Sequence, residues 1–296
     1  MRVMVIGATG VLGVPAVARL LADGHDVSGL VRDPSRVAAV RDTGAKPVNG
    51  DLFDADSLAE ALRGHDAVLN LATRIPGPRD MVRRSAWAEN DRVRSLGSAC
   101  LAAAVRRVDE LRIVVQEGIS FVYADGGDLV LDETAPIDPH GTLASSVEAH
   151  ENVASLEADG RTAVRLRIGF LVSSDVMTTA LLSAARYGAP LIVGSRSDWV
   201  TAIHPTDAAL GAVAALGAPS GVYNVGAPPV RKQQLGSVLA AAAGVRRPHA
   251  FPKWLASRMA STMPLSRSQR VVSDRLRDAT GWQPKLPVPG AKWFEA

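Results

Sequence analysis

Residues 2–13, RVMVIGATGVLG, run from a short apolar stretch into three glycines, Gly7, Gly10 and Gly13. Residues 13–24, GVPAVARLLADG, then repeat apolar side chains at helical spacing and stop at Gly24. Strand, glycine turn and helix in this order predict a βα unit. The first glycine permits the tight turn, and the second lets backbone N–H groups approach a pyrophosphate. The third lets helix and strand pack closely, with the helix start facing the negative charge. Gly7, Thr9, Gly10, Val11, Leu12 and Gly13 are therefore expected around a dinucleotide.

The end of the second strand selects the dinucleotide. A reader of NAD places an acid about 20 residues after the glycines, on the ribose hydroxyls. Here GLVRDPSR puts Arg32 there, 19 residues after Gly13, with Arg36 one helical turn later. A guanidinium suits a 2′-phosphate, so NADP is the expected cofactor; the adjacent Asp33 leaves NAD as the alternative. After the third strand, Asp51 and Leu52 are placed to meet the adenine. After the fourth, Leu71, Ala72 and Thr73 are small enough to let the dinucleotide pass.

Farther out, DVSGLV, AKPVNGD, DAVLNLA, LRIVVQ and TAVRLRI read as strands alternating with helices, one of them spanning roughly residues 80–105. This alternation predicts an α/β, Rossmann-type, doubly wound parallel sheet with ligands at the carboxyl ends of its strands. Residues 1–172 are expected to form the dinucleotide-binding domain. Residues 173–296, with shorter strands, should form a smaller substrate-binding region packed on it as one unit.

Composition narrows the function classes. With 47% hydrophobic and 21% charged residues, the chain has the make-up of an ordinary soluble globular protein. No run approaches 18 apolar residues, which argues against a membrane span, and the N-terminus carries no secretory pattern. One cysteine, Cys100, allows no internal disulfide and suits a reducing cytoplasm; it reads as a buried helix residue. The 28 arginines and five lysines give a net charge of only +3. Their clusters (Arg79, Arg83 and Arg84; Arg106 and Arg107; Arg246 and Arg247) lack interleaved aromatics, so they read as solvated faces rather than a nucleic-acid stripe. Nothing points to a metal site.

GATGVLG, GDLFD, NLAT, VRLRIGFLV, AIHPTDAALGAVAAL, GVYNVG and SDRLRDATGWQPK together resemble the extended short-chain dehydrogenase/reductases of the NAD-dependent epimerase/dehydratase type, over nearly the whole chain. That resemblance implies a Tyr and a Lys four residues apart on the helix before VRLRI. It also implies a serine at the end of the fifth strand and an asparagine on the long helix. Family members often pair through a four-helix interface, so a homodimer is an expectation carried by the resemblance. The catalytic pair is missing. AHENV aligns Leu143 with the Tyr position and Val147 with the Lys position. The three tyrosines, Tyr123, Tyr187 and Tyr223, have no lysine four residues on, and no lysine lies between Lys46 and Lys232. The serine falls near Ile119 and the asparagine near Arg94, with Asn90 one turn earlier.

The remaining polar groups on the same wall are Glu117, Ser120 and Tyr123, taken as candidate catalytic residues. Glu117 stands out because a carboxyl at the end of a buried strand is costly unless paired or functional. Its structural alternative is a salt bridge to a neighbouring arginine. His140 and His150 read as solvated helix-start residues. Two function classes follow: an atypical NADP-dependent oxidoreductase or epimerase-like enzyme on a small, secondary-metabolite-type substrate, with a non-redox enzyme as its variant; or a non-catalytic dinucleotide-binding regulator.

Overall fold

The structure, a computed structural model, describes residues 1–77, 80–81, 83–259 and 262–295. Seven parallel strands form the central sheet: β1 (Arg2–Ile6), β2 (Asp26–Val31), β3 (Lys46–Asn49), β4 (Ala67–Asn70), β5 (Ile113–Gln116), β6 (Thr162–Ile168) and β7 (Gly221–Val225). Their order is β7-β6-β5-β4-β1-β2-β3. The order reverses beside β1, which places the crevice of an open α/β sheet at the glycine turn. Val3, Val5, Val68, Leu69, Val114 and Val164 are inaccessible to solvent. Both faces of the sheet are covered, so its central strands read as continuous apolar runs.

Helices α1 (Gly13–Ala22), α2 (Val37–Asp42), α3 (Ala55–Leu62), α4 (Ala88–Val105) and α5 (Ala144–Ala154) fill the crossovers. On one face Val17 and Leu20 of α1 pack against the sheet; on the other, Leu58, Leu62, Leu101, Val105 and Val153 do so. The long helix is shorter than its sequence pattern, because Arg84–Trp87 form a 3₁₀ turn before α4 begins.

The span 173–296 supplies α6 (Val176–Ala185), α7 (Pro205–Ala214), α8 (Lys232–Ala243), two four-residue helices, α9 (Lys253–Ala256) and α10 (Met263–Ser266), and α11 (Asp274–Thr280). It also returns to the first layer. Strand β7 pairs with β6 in register Gly221↔Val164 to Val225↔Ile168, and Ala208 and Ala212 of α7 join the core of α1. A separate apolar core holds Val172, Val200, Leu235, Leu239 and Trp293.

The first two arginine clusters make local ion pairs: Arg83 with Asp80 at 3.1 Å, Arg84 with Asp91 at 2.6 Å, Arg106 with Asp159 at 2.7 Å, and Arg107 with Asp56. Arg79 lies outside the described residues. Cys100 is half-buried on α4, and burial pushes its thiol pKa upward.

Candidate active site

The glycine turn is built for close approach. Gly7 has φ +86°, and a Cβ there would meet the Leu71–Ala72 backbone at 3.0 Å. A Cβ on Gly13 would sit 2.0 Å from the Gly7 carbonyl oxygen. Gly10 N–H donates to that same carbonyl at 2.9 Å. Helix α1 starts with no side-chain cap and no acid in its first turn, so its N-terminal N–H groups present an uncompensated positive end. Leu12 and Leu71 are buried beneath the turn, while Thr9 and Ala72 are half-buried and Val11 and Thr73 exposed. This cradle fits a dinucleotide pyrophosphate.

The residues expected on the adenosine side are cationic. Arg36 donates from Nη2 to Thr9 Oγ1 at 3.4 Å, so its guanidinium reaches over the turn. Arg32 lies 3.9 Å from Asp51, with its guanidinium carbon 5.7 Å from the centre of the Phe53 ring, which Arg92 also covers at 4.0 Å. Asp33 is occupied locally, accepting from Ser35 N–H at 2.9 Å to cap the 3₁₀ turn Pro34–Arg36. That hydrogen bond is the largest of the causes holding its carboxyl below the usual range. Asp51 accepts from Phe53 N–H at 3.0 Å, and Leu52 is buried.

The wall expected to face the substrate differs in kind. Glu117 and Arg94 are both buried and form a bidentate pair, with Nε and Nη2 each donating at 3.0 Å to one carboxylate oxygen. Arg94 thus stands where the resemblance implies an asparagine, and its charge is matched within the protein. Asn90, one turn earlier, accepts from Arg74 N–H at 3.0 Å, while its Nδ2 is buried without a partner. Beside them Asn70 donates to Gln116 at 2.8 Å, which joins the ends of β4 and β5.

Tyr123 is fully buried and donates from its hydroxyl to Asn224 of β7 at 2.8 Å. Burial pushes its phenol pKa upward, against the opposing influence of Arg167 over the ring at 4.7 Å. Ser120 is buried in the 3₁₀ turn Ser120–Val122 and accepts Tyr123 N–H through its carbonyl. The three candidates are thus not gathered around one point: Glu117 faces α4, and Tyr123 faces β7. Leu143 is buried and Val147 half-buried at the aligned Tyr and Lys positions.

His150, expected to be solvated, is buried instead. A Cβ on Gly118 would meet His150 Nε2 at 2.3 Å, so the glycine makes the room that the imidazole fills. Burial, reinforced by Arg167, Arg165 and Arg94, lowers its pKa to about 3, and Nε2 has no hydrogen-bond partner. The salt bridge the sequence offered as the alternative for Glu117 is the one found, with Arg94 as its partner; the buried His150 site was missed by sequence reasoning. The one available signal was the bare Gly118 between two strand ends.

Fold and cradle define a dinucleotide-binding scaffold of the short-chain dehydrogenase/reductase kind. Residues 7–120 match the family described as NAD(P)H-binding. A 3-diazoavenalumate denitrifying reductase from a Streptomyces species is 33% identical over 97% of both chains. A 4-hydroxy-2-methyl-3-oxo-4-farnesyl-3,4-dihydroquinoline-1-oxide ketoreductase from Stigmatella aurantiaca is 30% identical over 59% of this chain and 52% of its own. Among solved structures, human epimerase family protein SDR39U1 with NADPH superposes with a TM-score of 0.76 at 25% identity, covering 98% of this chain and 97% of the other. The chain belongs to the NAD-dependent epimerase/dehydratase family of extended short-chain dehydrogenases/reductases.

Proposed function

We propose that the chain is an NADPH-dependent reductase of a small secondary-metabolite-type molecule whose hydride-accepting group is already electron-poor, a diazo group being the instance named for the 33%-identical relative. One observation carries this: an intact dinucleotide cradle lies beside a wall whose acid/base groups are replaced, as at Leu143 and Val147, or engaged, as in Glu117 with Arg94 and Tyr123 with Asn224.

Reduction of a carbonyl leaves an alkoxide, which needs a proton donor or an oxyanion site. When bound, NADPH supplies a hydride, and its delivery to an arenediazonium yields the arene, dinitrogen and NADP⁺ with no net proton uptake. The chain then has only to bind, orient and exclude water. Gly7, Gly10, Gly13 and the start of α1 hold the pyrophosphate; Arg32 and Arg36 hold the 2′-phosphate. Leu143 and Val147 keep the reacting face dry. Glu117 and Tyr123 position their strand ends, and the Ser120 hydroxyl orients the substrate.

Calorimetry with NADPH and NADH tests the cofactor half. Arg32→Ala and Arg36→Ala should each weaken NADPH about tenfold, the equivalent of ~1.4 kcal/mol, and leave NADH nearly unchanged. Equal loss for both cofactors removes the 2′-phosphate role. Nitrogen release from 4-carboxybenzenediazonium, measured against a protein-free control, tests the chemistry. Turnover should survive Tyr123→Phe; ketone reduction that Tyr123→Phe abolishes would overturn the proposal.

The non-catalytic regulator remains the second reading, favoured by the missing Tyr and Lys. It predicts tight NADPH binding with no NADPH consumed. The proposal also includes a cytoplasmic location, in keeping with the single cysteine, no nucleic-acid or membrane partner, and a homodimer, which light scattering checks. No helix among the described residues is long and apolar enough to cross a membrane.

A further inference from the structure

A cavity of about 130 Å³ lies beyond the carboxyl ends of β5 and β6, between the sheet and the C-terminal core. Phe121 and Phe170 form one side, their ring centres 6.0 Å apart and tilted by 41°, with Trp199 beside them. Phe121 follows Ser120 directly, and Phe170 comes two residues after the end of β6. Leu235, Leu239 and Leu181 close the aliphatic side.

The polar groups in these walls are largely committed. Arg267 Nη1 donates to the Tyr123 and Asp138 carbonyls, and its Nη2 pairs with the Asp138 carboxylate. Gln269 donates to the Tyr123 carbonyl at 2.6 Å. Lys232 is the exception. Its buried Nζ donates to the Val193 and Leu265 carbonyls at 2.7 and 2.6 Å. An ammonium has three donors; these bonds use two, and the Asp198 carboxylate pairs with the charge at 3.9 Å. The third donor makes no hydrogen bond to a described residue, and Lys232 lines the aromatic-walled cavity.

Small-molecule pockets usually enclose ~300–1,000 Å³, and a nucleotide sugar needs that space together with free cations for its phosphates. This cavity has neither that volume nor more than one uncommitted cation, Lys232. Its volume is close to the ~150 Å³ apolar cavity known to accept benzene, and rings favour tilted aromatic neighbours. Resting on the reductase reading above, we infer that this cavity is the substrate site and takes one aromatic ring bearing an anionic oxygen. The ring lies among Phe121, Phe170 and Trp199, and the anion lies on Lys232. Burial pulls the Lys232 pKa down to about 8, leaving it charged at neutral pH but poorly hydrated, a state that favours pairing with an anion. Asp198, Lys253, Asp125 and Arg267 are the other charged groups around it.

The test is calorimetric binding to the full chain, with no turnover required, using benzoate, toluene and UDP-glucose. Benzoate should bind more tightly than toluene, and UDP-glucose should not compete with either. Lys232→Met should cost benzoate about tenfold, the loss of one charged hydrogen bond, and leave toluene unchanged. Because Lys232 also braces two carbonyls, Leu235→Phe provides an independent variant: filling the cavity should remove both ligands while NADPH still binds. Wild-type benzoate binding should fall as the pH rises through about 8, and toluene binding should not. Benzoate binding that survives Leu235→Phe, or that is indifferent to both Lys232→Met and pH, overturns the assignment. Benzoate binding with no diazo reduction retires the reductase reading alone, whereas diazo reduction that survives Leu235→Phe retires the cavity assignment alone.

Discussion

Glu117 shows how one residue can carry two readings until its neighbour is placed. The sequence marks it as a buried carboxylate in need of a partner, and the fold supplies Arg94 from a helix 23 positions earlier. Removing one member of a buried pair strands the other charge, at a cost of about 3–5 kcal/mol, whereas an apolar pair of similar volume is often neutral. Glu117→Leu should therefore destabilise the chain by that amount in urea unfolding, and Arg94→Met with Glu117→Leu should recover most of it. If the double variant is no more stable than the single, the pair is not a closed unit. His150 makes a pH-dependent contribution. Its folded pKa is depressed from 6.5 to about 3, so the stability associated with burying the neutral ring is complete above pH 6.5. It is lost as the pH falls from 6.5 toward 3, at up to ~1.4 kcal/mol per pH unit. Melting temperatures of His150→Gln and wild type should diverge most near neutral pH and converge on acidification. Parallel curves would remove the residue from the acid response.

At the scale of elements, legibility followed burial. Buried apolar positions recur along the longer strands, as at Val164, Leu166 and Ile168 between the half-buried Arg165 and Arg167, so β2, β6 and β7 lie where DVSGLV, TAVRLRI and GVYNV place them. PLIVG and SDWVTAI shrink to two-residue strands, Ile192–Val193, Trp199–Val200 and Ala202–Ile203, because their partners are equally short segments from distant parts of the chain. Among its described residues, FPKWLASRMAS keeps four helical ones, in α9. Helix starts depend on single side chains. Asp175 accepts from Met177 and Thr178 N–H at 2.7 and 3.0 Å to open α6, the helix that carries Leu181 to the cavity. Asp175→Ala should cost ~1 kcal/mol, read as a lower urea midpoint at unchanged slope. No shift in midpoint would mean that packing alone holds the helix.

For the whole molecule, the division near residue 172 marks where the strands shorten rather than where the sheet ends. Val164, Leu166 and Ile168 of β6 are buried beneath β7 and α7, both drawn from the second span. A chain ending at residue 172 should therefore expose this face and aggregate, whereas the full chain should melt in one transition. A soluble, cooperatively melting 1–172 fragment would show the two spans to be independent. A ligand that binds only the native state stabilises it by ~2.7 kcal/mol at a hundred times its Kd. NADPH at that concentration should raise the melting temperature of the full chain by several degrees, and Gly13→Ala should abolish the rise.

By itself the sequence determined the strand–helix alternation of the first half, the glycine cradle, the arginines after the second strand and the absence of the Tyr–Lys pair. These are properties of local periodicity, of glycines whose missing Cβ atoms matter within a few residues, and of residues that are simply not there. Only the tertiary structure decided what replaced the pair. The Arg94–Glu117 clasp, the seat of His150 against Gly118, the Tyr123–Asn224 bond and the cavity at Lys232 each join segments 23 to about 150 residues apart. No periodicity records such pairings. They follow from how the crossovers return the chain to the carboxyl edge of the sheet, where desolvation forces each polar group to find a partner or remain free for a ligand.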